Sequence, residues 1–223
     1  STTLAGSVKT TGAQTYTGPV TLAGAVTLDM GGALTAGTIV GAGNDLTIAG
    51  AGNATIAAAS GLDDVTINQS GTTTFTGSIA ANSPGVTNSG GLTFGNGATI
   101  GGALTNTASP TTTTGTLSAG SIGLGALTLG GDTTLSSNGA IATGAVSGGG
   151  NDLTINGSGA ATLASLNGVD TLALNKTGGS ATVTGAANAN AVTTQSANFA
   201  VALNGGGTIA NATTFTNTGG VSL

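Results

Sequence analysis

The chain carries nearly the same sequence twice, with the second copy shifted by 107 residues from the first. Residues 20–71 align with residues 127–178 without a gap, and about half of the aligned positions are identical. The best match opens with GAGNDLTI (Gly41–Ile48) in the first copy and GGGNDLTI (Gly148–Ile155) in the second. Such self-similarity is typical of repeat architectures, in which each unit buries its apolar face against its neighbours. The duplication therefore indicates an elongated scaffold.

The local unit inside each copy alternates an aliphatic residue, threonine and a second aliphatic residue. Examples are VTL (Val26–Leu28), LTI (Leu46–Ile48) and VTI (Val65–Ile67). This alternation predicts half-buried strands with aliphatic side chains inward and threonine outward, and β-branched residues favour a pleated surface. Glycine-containing pairs between the units predict tight turns, and no segment has the 3.6-residue stripe of a helix.

Strand units recur at intervals of about twenty residues, which is the repeat length of a β-solenoid. They are centred near Val26, Leu46, Val65, Val86 and Leu104, and the series is expected to resume at Thr133, Leu153 and Leu172. We predict an all-β parallel β-helix with about five coils per copy. It would be one continuous domain over residues 1–223, with copies at approximately 1–107 and 108–223. A string of small β-sandwiches is the alternative, but that fold needs larger core residues.

Composition excludes several other classes of protein. The only charged residues are seven Asp and two Lys, Lys9 and Lys176, and there is no Cys, His, Trp, Arg or Glu. Positive mean hydropathy and low net charge argue against disorder, and the acidic balance offers no basic surface for nucleic acid. Thr, Asn and Gly interrupt every apolar run, so no membrane span is predicted. The chain starts at Ser1 without Met, which suggests a mature product or a piece of a longer chain.

A family resemblance supports this interpretation. The run TTGAQTYTGPVTL (Thr10–Leu22), followed by GGxLTxx and xNDLTI elements, resembles the β-strand-repeat passengers of filamentous-haemagglutinin-like and autotransporter-type bacterial exoproteins. The resemblance covers essentially the whole chain and rests on repeat style rather than on a catalytic signature. It implies a right-handed parallel β-helix that is exported to the cell surface and used for adhesion, biofilm or fibre building.

The aspartates are the first candidate site. G-x-G-N-D, at Asp45 and Asp152, opens the calcium-binding nonapeptide, but no second copy follows nine residues on. We therefore expect a corner in which Asn44 and Asp45 hydrogen-bond the local backbone. Asp63 and Asp64 form the only adjacent acidic pair, and its counterpart is Asp170 with Thr171, so a solvated turn is expected. Scattered Asp without Glu, His or Arg is a poor basis for acid–base catalysis. No catalytic, cofactor-binding or metal residue is predicted, and no cofactor.

Threonine is the second candidate. Thr72–Thr74, Thr111–Thr114 and the T-x-T elements at 74–76, 182–184 and 214–216 resemble the flat faces of ice-binding β-helices. In those proteins the element recurs in register on every coil, whereas here T-x-T is expected on only a few coils. Sequons begin at five asparagines, which are expected to be unmodified: Asn53, Asn68, Asn156, Asn175 and Asn211.

The function expected from the sequence is a structural or adhesive fibre segment, extracellular or on the bacterial cell surface, without catalysis. The alternative is a Thr-rich, flat-faced ice- or surface-binding solenoid. Neither terminus shows a polar cap, so we expect end-to-end self-association or continuation in a longer chain, with contacts to host, surface or matrix. Any receptor-binding residues are expected in insertions outside the repeat, such as Ala108–Thr114.

Overall fold

Every element of regular structure in the described part of the chain is a β-strand. The computed structural model describes residues 1–82, 85–88 and 90–223, with side chains outside 83–89. The first nine strands are β1 (Thr2–Thr10), β2 (Gln14–Tyr16), β3 (Val20–Met30), β4 (Leu34–Gly50), β5 (Ala54–Gln69), β6 (Thr73–Phe75), β7 (Ile79–Ala81), β8 (Gly85–Asn88) and β9 (Leu92–Phe94). The remaining ten are β10 (Ala98–Asn106), β11 (Thr111–Leu124), β12 (Leu127–Ser136), β13 (Ile141–Ser147), β14 (Leu153–Gly157), β15 (Ala161–Lys176), β16 (Ser180–Val183), β17 (Ala187–Thr194), β18 (Ala200–Leu203) and β19 (Val221–Ser222).

The strands pair in parallel, each with the strand about one coil later, so that the chain winds into a three-sided stack. About 11 coils of roughly 19 residues make up the stack, which confirms the predicted β-solenoid. We number the three sides in chain order. Face 1 contains the paired positions Val20, Ile39, Ala59, Ile79, Ala98, Leu117, Leu135, Ile155 and Leu174. Face 2 contains Val26, Leu46, Val65, Val86, Leu104, Ile122, Ile141, Ala161, Ala181 and Val201. Face 3 contains Gln14, Leu34, Ala54, Thr73, Leu92, Thr111, Leu127, Val146, Leu166 and Ala187.

The core is a set of columns that run along the stack axis. Strands alternate buried and exposed residues, and the buried positions are mostly Ala, Val, Leu and Ile, as the sequence predicts. Phe75 and Phe94 occupy the same face-3 column on successive coils, and their rings stack with centroids 6.0 Å apart and an interplanar angle of 12°. Such columns bury apolar area at each coil while backbone hydrogen bonds join neighbouring coils.

The 107-residue shift does not equal a whole number of coils. Residues 46–50 lie on face 2, whereas their counterparts at 153–157 pair within face 1. Likewise Leu34 on face 3 corresponds to Ile141 on face 2. The expected resumption of the Val26–Leu104 series at Thr133 is therefore wrong, because Leu104 pairs with Ile122 and Ile122 with Ile141. The second copy uses the same sequence one face round the prism.

The proposed insertion Ala108–Thr114 also needs correction. Thr111 to Thr114 belong to β11, and Thr111 and Thr113 are completely buried on face 3. Residues 111–113 pair with residues 92–94 on one side and residues 127–129 on the other. Residues 111–114 are therefore part of the stack and are not an outward loop available for a receptor. Residues 108–110 lie in the turn before β11, where Ala108 and Pro110 are exposed.

Candidate functional surfaces

The two GxGND corners have the same hydrogen bonds. Asn44 Nδ2 donates to the carbonyl oxygens of Leu22 (3.1 Å) and Gly41 (2.9 Å). Asn151 Nδ2 donates to those of Leu129 (3.0 Å) and Gly148 (2.9 Å). Each side chain thus binds its own turn and the coil below. These bonds support the interpretation of this motif as a corner that satisfies local backbone groups.

The aspartates beside these corners accept backbone hydrogen bonds from the next coil. Asp45 Oδ1 accepts from the Asp64 amide at 3.2 Å, and Asp152 Oδ1 accepts from the Thr171 amide at 2.9 Å. Asp132 Oδ1 in turn accepts from the Asp152 amide at 3.0 Å. These bonds join successive coils at their exposed edges. Among the residues that the structure describes, no group of three or more His, Cys, Asp or Glu is placed to hold a metal ion.

The two residues of the acidic pair, Asp63 and Asp64, differ in solvent exposure. Asp63 is exposed, whereas Asp64 is half-buried and contributes its amide to the bond with Asp45. The counterpart Asp170 accepts a hydrogen bond from Asn190 Nδ2 at 2.7 Å. Both residues lie within β5, so the expected turn is wrong, and only Asp63 is exposed to solvent.

The two lysines have opposite environments. Lys9 is exposed on face 2 and forms an ion pair with Asp29 at 2.6 Å; this hydrogen bond and charge attraction raise the pKa of Lys9. Lys176 is completely buried, and its Nζ donates to the backbone carbonyls of Gly157 and Gly159. Desolvation lowers the pKa of Lys176. Sequence reasoning missed this burial, although Lys176 follows the alternation of Leu172 and Leu174.

Polar side chains also enter the interior in the middle of the stack. Asn106 is fully buried and donates from Nδ2 to Thr111 Oγ1 at 2.8 Å, and Thr133 Oγ1 donates to the Thr113 carbonyl at 3.1 Å. Near the first coil, Gln14 Nε2 also donates hydrogen bonds to the carbonyl oxygens of Val8 and Asp29, both at 3.0 Å. Because side chains alternate between the two faces of a strand, every second residue of the TTTT run at 111–114 faces inward. This alternation is the sequence signal for the buried threonines.

A threonine occupies the same outward position of face 3 on seven consecutive coils. We call this row the threonine ladder: Thr15, Thr35, Thr55, Thr74, Thr93, Thr112 and Thr128. The same position continues as Ser147 and then Asn167. The T-x-T element was expected on only a few coils, and the ladder consists instead of single threonines. Its register depends on the pairing of coils and is not visible in any local motif.

The T-x-T pairs themselves lie on different faces. Thr74 and Thr76 point outward on face 3 around the buried Phe75. Thr182 lies on face 2, and Thr216 bonds Thr194 in the last coil, where its amide donates to Thr194 Oγ1 at 2.7 Å. Face 2 has a shorter row of threonines in register, at Thr27, Thr47, Thr66, Thr87 and Thr105. Within residues 1–82 and 90–223, the longest regular array of threonines is therefore the ladder of face 3.

The sequon asparagines have varied settings. Asn53 Oδ1 accepts a hydrogen bond from the Thr72 amide at 2.9 Å, which places this side chain in a coil-to-coil contact. Asn68, Asn175 and Asn211 are exposed and Asn156 is half-exposed. The expectation that these residues are unmodified stays a prediction.

Comparison with known proteins gives no relative for this chain. No family model matches it, and neither a curated protein nor a solved structure is significantly similar. In the described ranges, 1–82, 85–88 and 90–223, there is no helix with the length and apolar character needed to cross a membrane. The proposed function therefore rests on the coil stack and its surfaces.

Proposed function

We propose that this chain is a rod-like structural segment of an extracellular or bacterial cell-surface fibre, with a mechanical and adhesive role and no catalysis. The observation that supports it is the parallel pairing on all three faces, which links successive coils from β1 to β19. Each coil is held to its neighbours by backbone hydrogen bonds and by continuous apolar columns. Such a stack resists bending, and its length scales with the number of coils.

The surface at the last coil suits further association along the stack axis. An apolar cavity of about 210 Å³, lined by Ala187, Leu203, Ile209 and Leu223 among others, lies at the last coil. Leu223 is 82% exposed. End-to-end contact with another coil of the same kind would bury this surface, and it forms part of the proposal.

Electron microscopy of the purified chain tests the rod. With coils spaced like neighbouring strands, about 4.8 Å apart, eleven coils give a length of about 50 Å. Deletion of residues 34–53 removes one whole coil and leaves Gln14 to pair with Ala54, so the rod should shorten by about 5 Å and remain folded. Compact, roughly spherical particles for both proteins would rule the proposal out, whereas long filaments would add end-to-end assembly to it.

A second function is favoured by the threonine ladder, namely binding of ice or another ordered surface. Regular hydroxyl and methyl groups at strand spacing are suited to an ordered, uncharged layer. Against this function, the ladder is only one threonine wide. Thermal hysteresis of the purified chain tests it. The double variant Thr55→Lys/Thr93→Lys should lose the activity, while the matched change Thr47→Lys/Thr66→Lys on face 2 should keep it.

A further inference from the structure

The outer surface of face 3 is uncharged along the whole threonine ladder. The strip consists of the ladder and the residues two before and two after each threonine. The preceding column is Ala13, Ala33, Asn53, Thr72, Gly91, Pro110 and Ala126, and the following column is Thr17, Gly37, Ala57, Thr76, Gly95, Thr114 and Gly130. Backbone bonds confirm the register of the first column, since Gln14 donates to Ala33, Leu34 to Asn53 and Ala54 to Thr72.

The strip is built mostly from small side chains. Eight of its fourteen flanking residues are Gly or Ala, and the other six are Thr, Asn or Pro. Identical small side chains stacked at strand spacing on an uncharged face are the elements of a tight interface between paired sheets.

Charge disfavours the other lateral contacts of an acidic rod. The chain has a net charge of −5, and Lys9 and Asp29 lie on face 2. Asp132 and Asp152, whose coils are joined by a hydrogen bond, lie just ahead of face-1 strands at 133 and 153, on the edge between faces 3 and 1. They therefore flank the strip only at its last coil and beyond. Two copies that meet through the coils from Thr15 to Thr112 keep these groups in solvent. They also avoid like-charge contacts, which weaken association strongly.

The area of the strip is sufficient for a specific interface. Five residues at about 3.3 Å give a width of about 16 Å, and seven coils at about 4.8 Å give a length of about 34 Å. Pairing of two such strips would bury about 1,000 Å² in total, which is about the minimum for a specific interface between proteins.

We propose that face 3 is a lateral interface between two copies of this chain, which bundles rods side by side through their threonine ladders. This inference rests on the rod function proposed above and specifies how rods would be joined. A symmetric pair uses the same surface on both molecules, so a single strip is enough to form it. The partner is a second copy because the strip is uncharged, consists mostly of small side chains and can bury about 1,000 Å² against its own copy.

Small-angle X-ray scattering with sedimentation over a concentration series tests the proposal. The native chain should double its mass as concentration rises, with a thicker cross-section and an unchanged rod length. Thr55→Asp/Thr93→Asp should weaken pairing by about a hundredfold or more, because carboxylates would face one another. Thr47→Asp/Thr66→Asp on face 2 should pair like the native chain. Circular dichroism must show all three folded.

Cross-linking gives an independent measurement that does not depend on the charged variants. The chain has no cysteine, so Thr74→Cys at the middle of the ladder introduces a single thiol. Mild oxidation should yield disulfide-linked pairs much faster for Thr74→Cys than for the face-2 control Thr66→Cys. Equal rates would contradict the proposal.

The outcomes also separate this inference from the functions above. A mass that stays that of one rod at all concentrations overturns lateral pairing and leaves the rod intact. A doubled length with unchanged cross-section shows end-to-end association and also overturns it. Thermal hysteresis of single rods, abolished by Thr55→Asp/Thr93→Asp, assigns face 3 to an ordered surface instead. Compact, roughly spherical particles would contradict the proposed rod itself.

Discussion

The two copies of the repeat form the same corner on different edges of the prism, and the side chains at the two corners differ. In the first copy Met30, Gly50 and Gln69 stack at the end of face 2; in the second, Ser137, Gly157 and Lys176 stack at the end of face 1. The middle residue is glycine both times, and a long polar side chain is buried above it. Gln69 Nε2 donates to Thr73 Oγ1 at 2.7 Å, whereas Lys176 reaches backbone carbonyls.

This difference shows which part of the repeat is structurally obligatory. At both glycines φ is positive, 118° at Gly50 and 112° at Gly157, and an added Cβ would overlap the carbonyl oxygen of Met30 or Ser137. The side chain above the glycine varies between a neutral amide and an ammonium group. Backbone closure at the corner therefore constrains the sequence, while the buried polar group can change if it finds acceptors.

The largest expected effect comes from removing the shared glycine. Gly50→Ala and Gly157→Ala should each destabilise the chain by about 3 kcal/mol, because the new Cβ is both strained at positive φ and in contact with the coil below. Urea unfolding measures the loss. Gly12→Ala is the control, since a Cβ there meets nothing within 4 Å. If only one copy proved sensitive, the corners would not be equivalent.

Loss of the corner asparagine should be the next largest effect. Asn44→Ala and Asn151→Ala each remove two hydrogen bonds to backbone carbonyls, which should cost about 2 kcal/mol in either copy. The exposed Asn68→Ala should change stability by less than about 0.5 kcal/mol. Chemical denaturation of the three variants compares them. A calcium-dependent change in either Asn variant would contradict the backbone interpretation of the motif.

Replacing the two buried polar side chains should have effects of opposite sign. Lys176→Met removes a buried charge while keeping the apolar stem, and should stabilise the chain by about 1 kcal/mol. Gln69→Met loses the hydrogen bond to Thr73 and should destabilise it by about 1 kcal/mol. Thermal unfolding at neutral pH measures both. Destabilisation by Lys176→Met would show that Lys176 is not penalised by burial.

The smallest effect is a difference in pH dependence. Because the folded-state pKa of Lys176 lies below its ordinary 10.5, the unfolded chain binds more protons between those two values. Stability due to this group should therefore rise with pH through that window, and its penalty is fully present below it. The rise should be absent in Lys176→Met and retained in Gln69→Met. Lys9 and Tyr16 also titrate at alkaline pH. Both residues are present in all of these chains, so their contributions to stability cancel in the comparison.

Much of the architecture follows from local sequence patterns. The VTL and LTI units predicted strands with buried aliphatic and outward threonine residues, and Val26, Leu46, Val65, Val86 and Leu104 do share one face. The GxGND corner was expected to bind local backbone, and Asn44 and Asn151 do so. Coil length, however, varies from corner to corner, and only sixteen residues separate Thr111 from its partner Leu127. A fixed period therefore cannot assign strands to faces.

The sequence by itself determined that this chain is a parallel β-solenoid, because strand alternation and glycine turns are local properties that repeat along it. Only the tertiary structure decided that the 107-residue shift moves each strand to the preceding face. Face assignment depends on closure of every preceding coil and is a cumulative, non-local quantity. The same reason hid the burial of Lys176 and the threonine ladder, since register between coils brings together residues about twenty positions apart. The surfaces on which the proposed functions depend are set by that register.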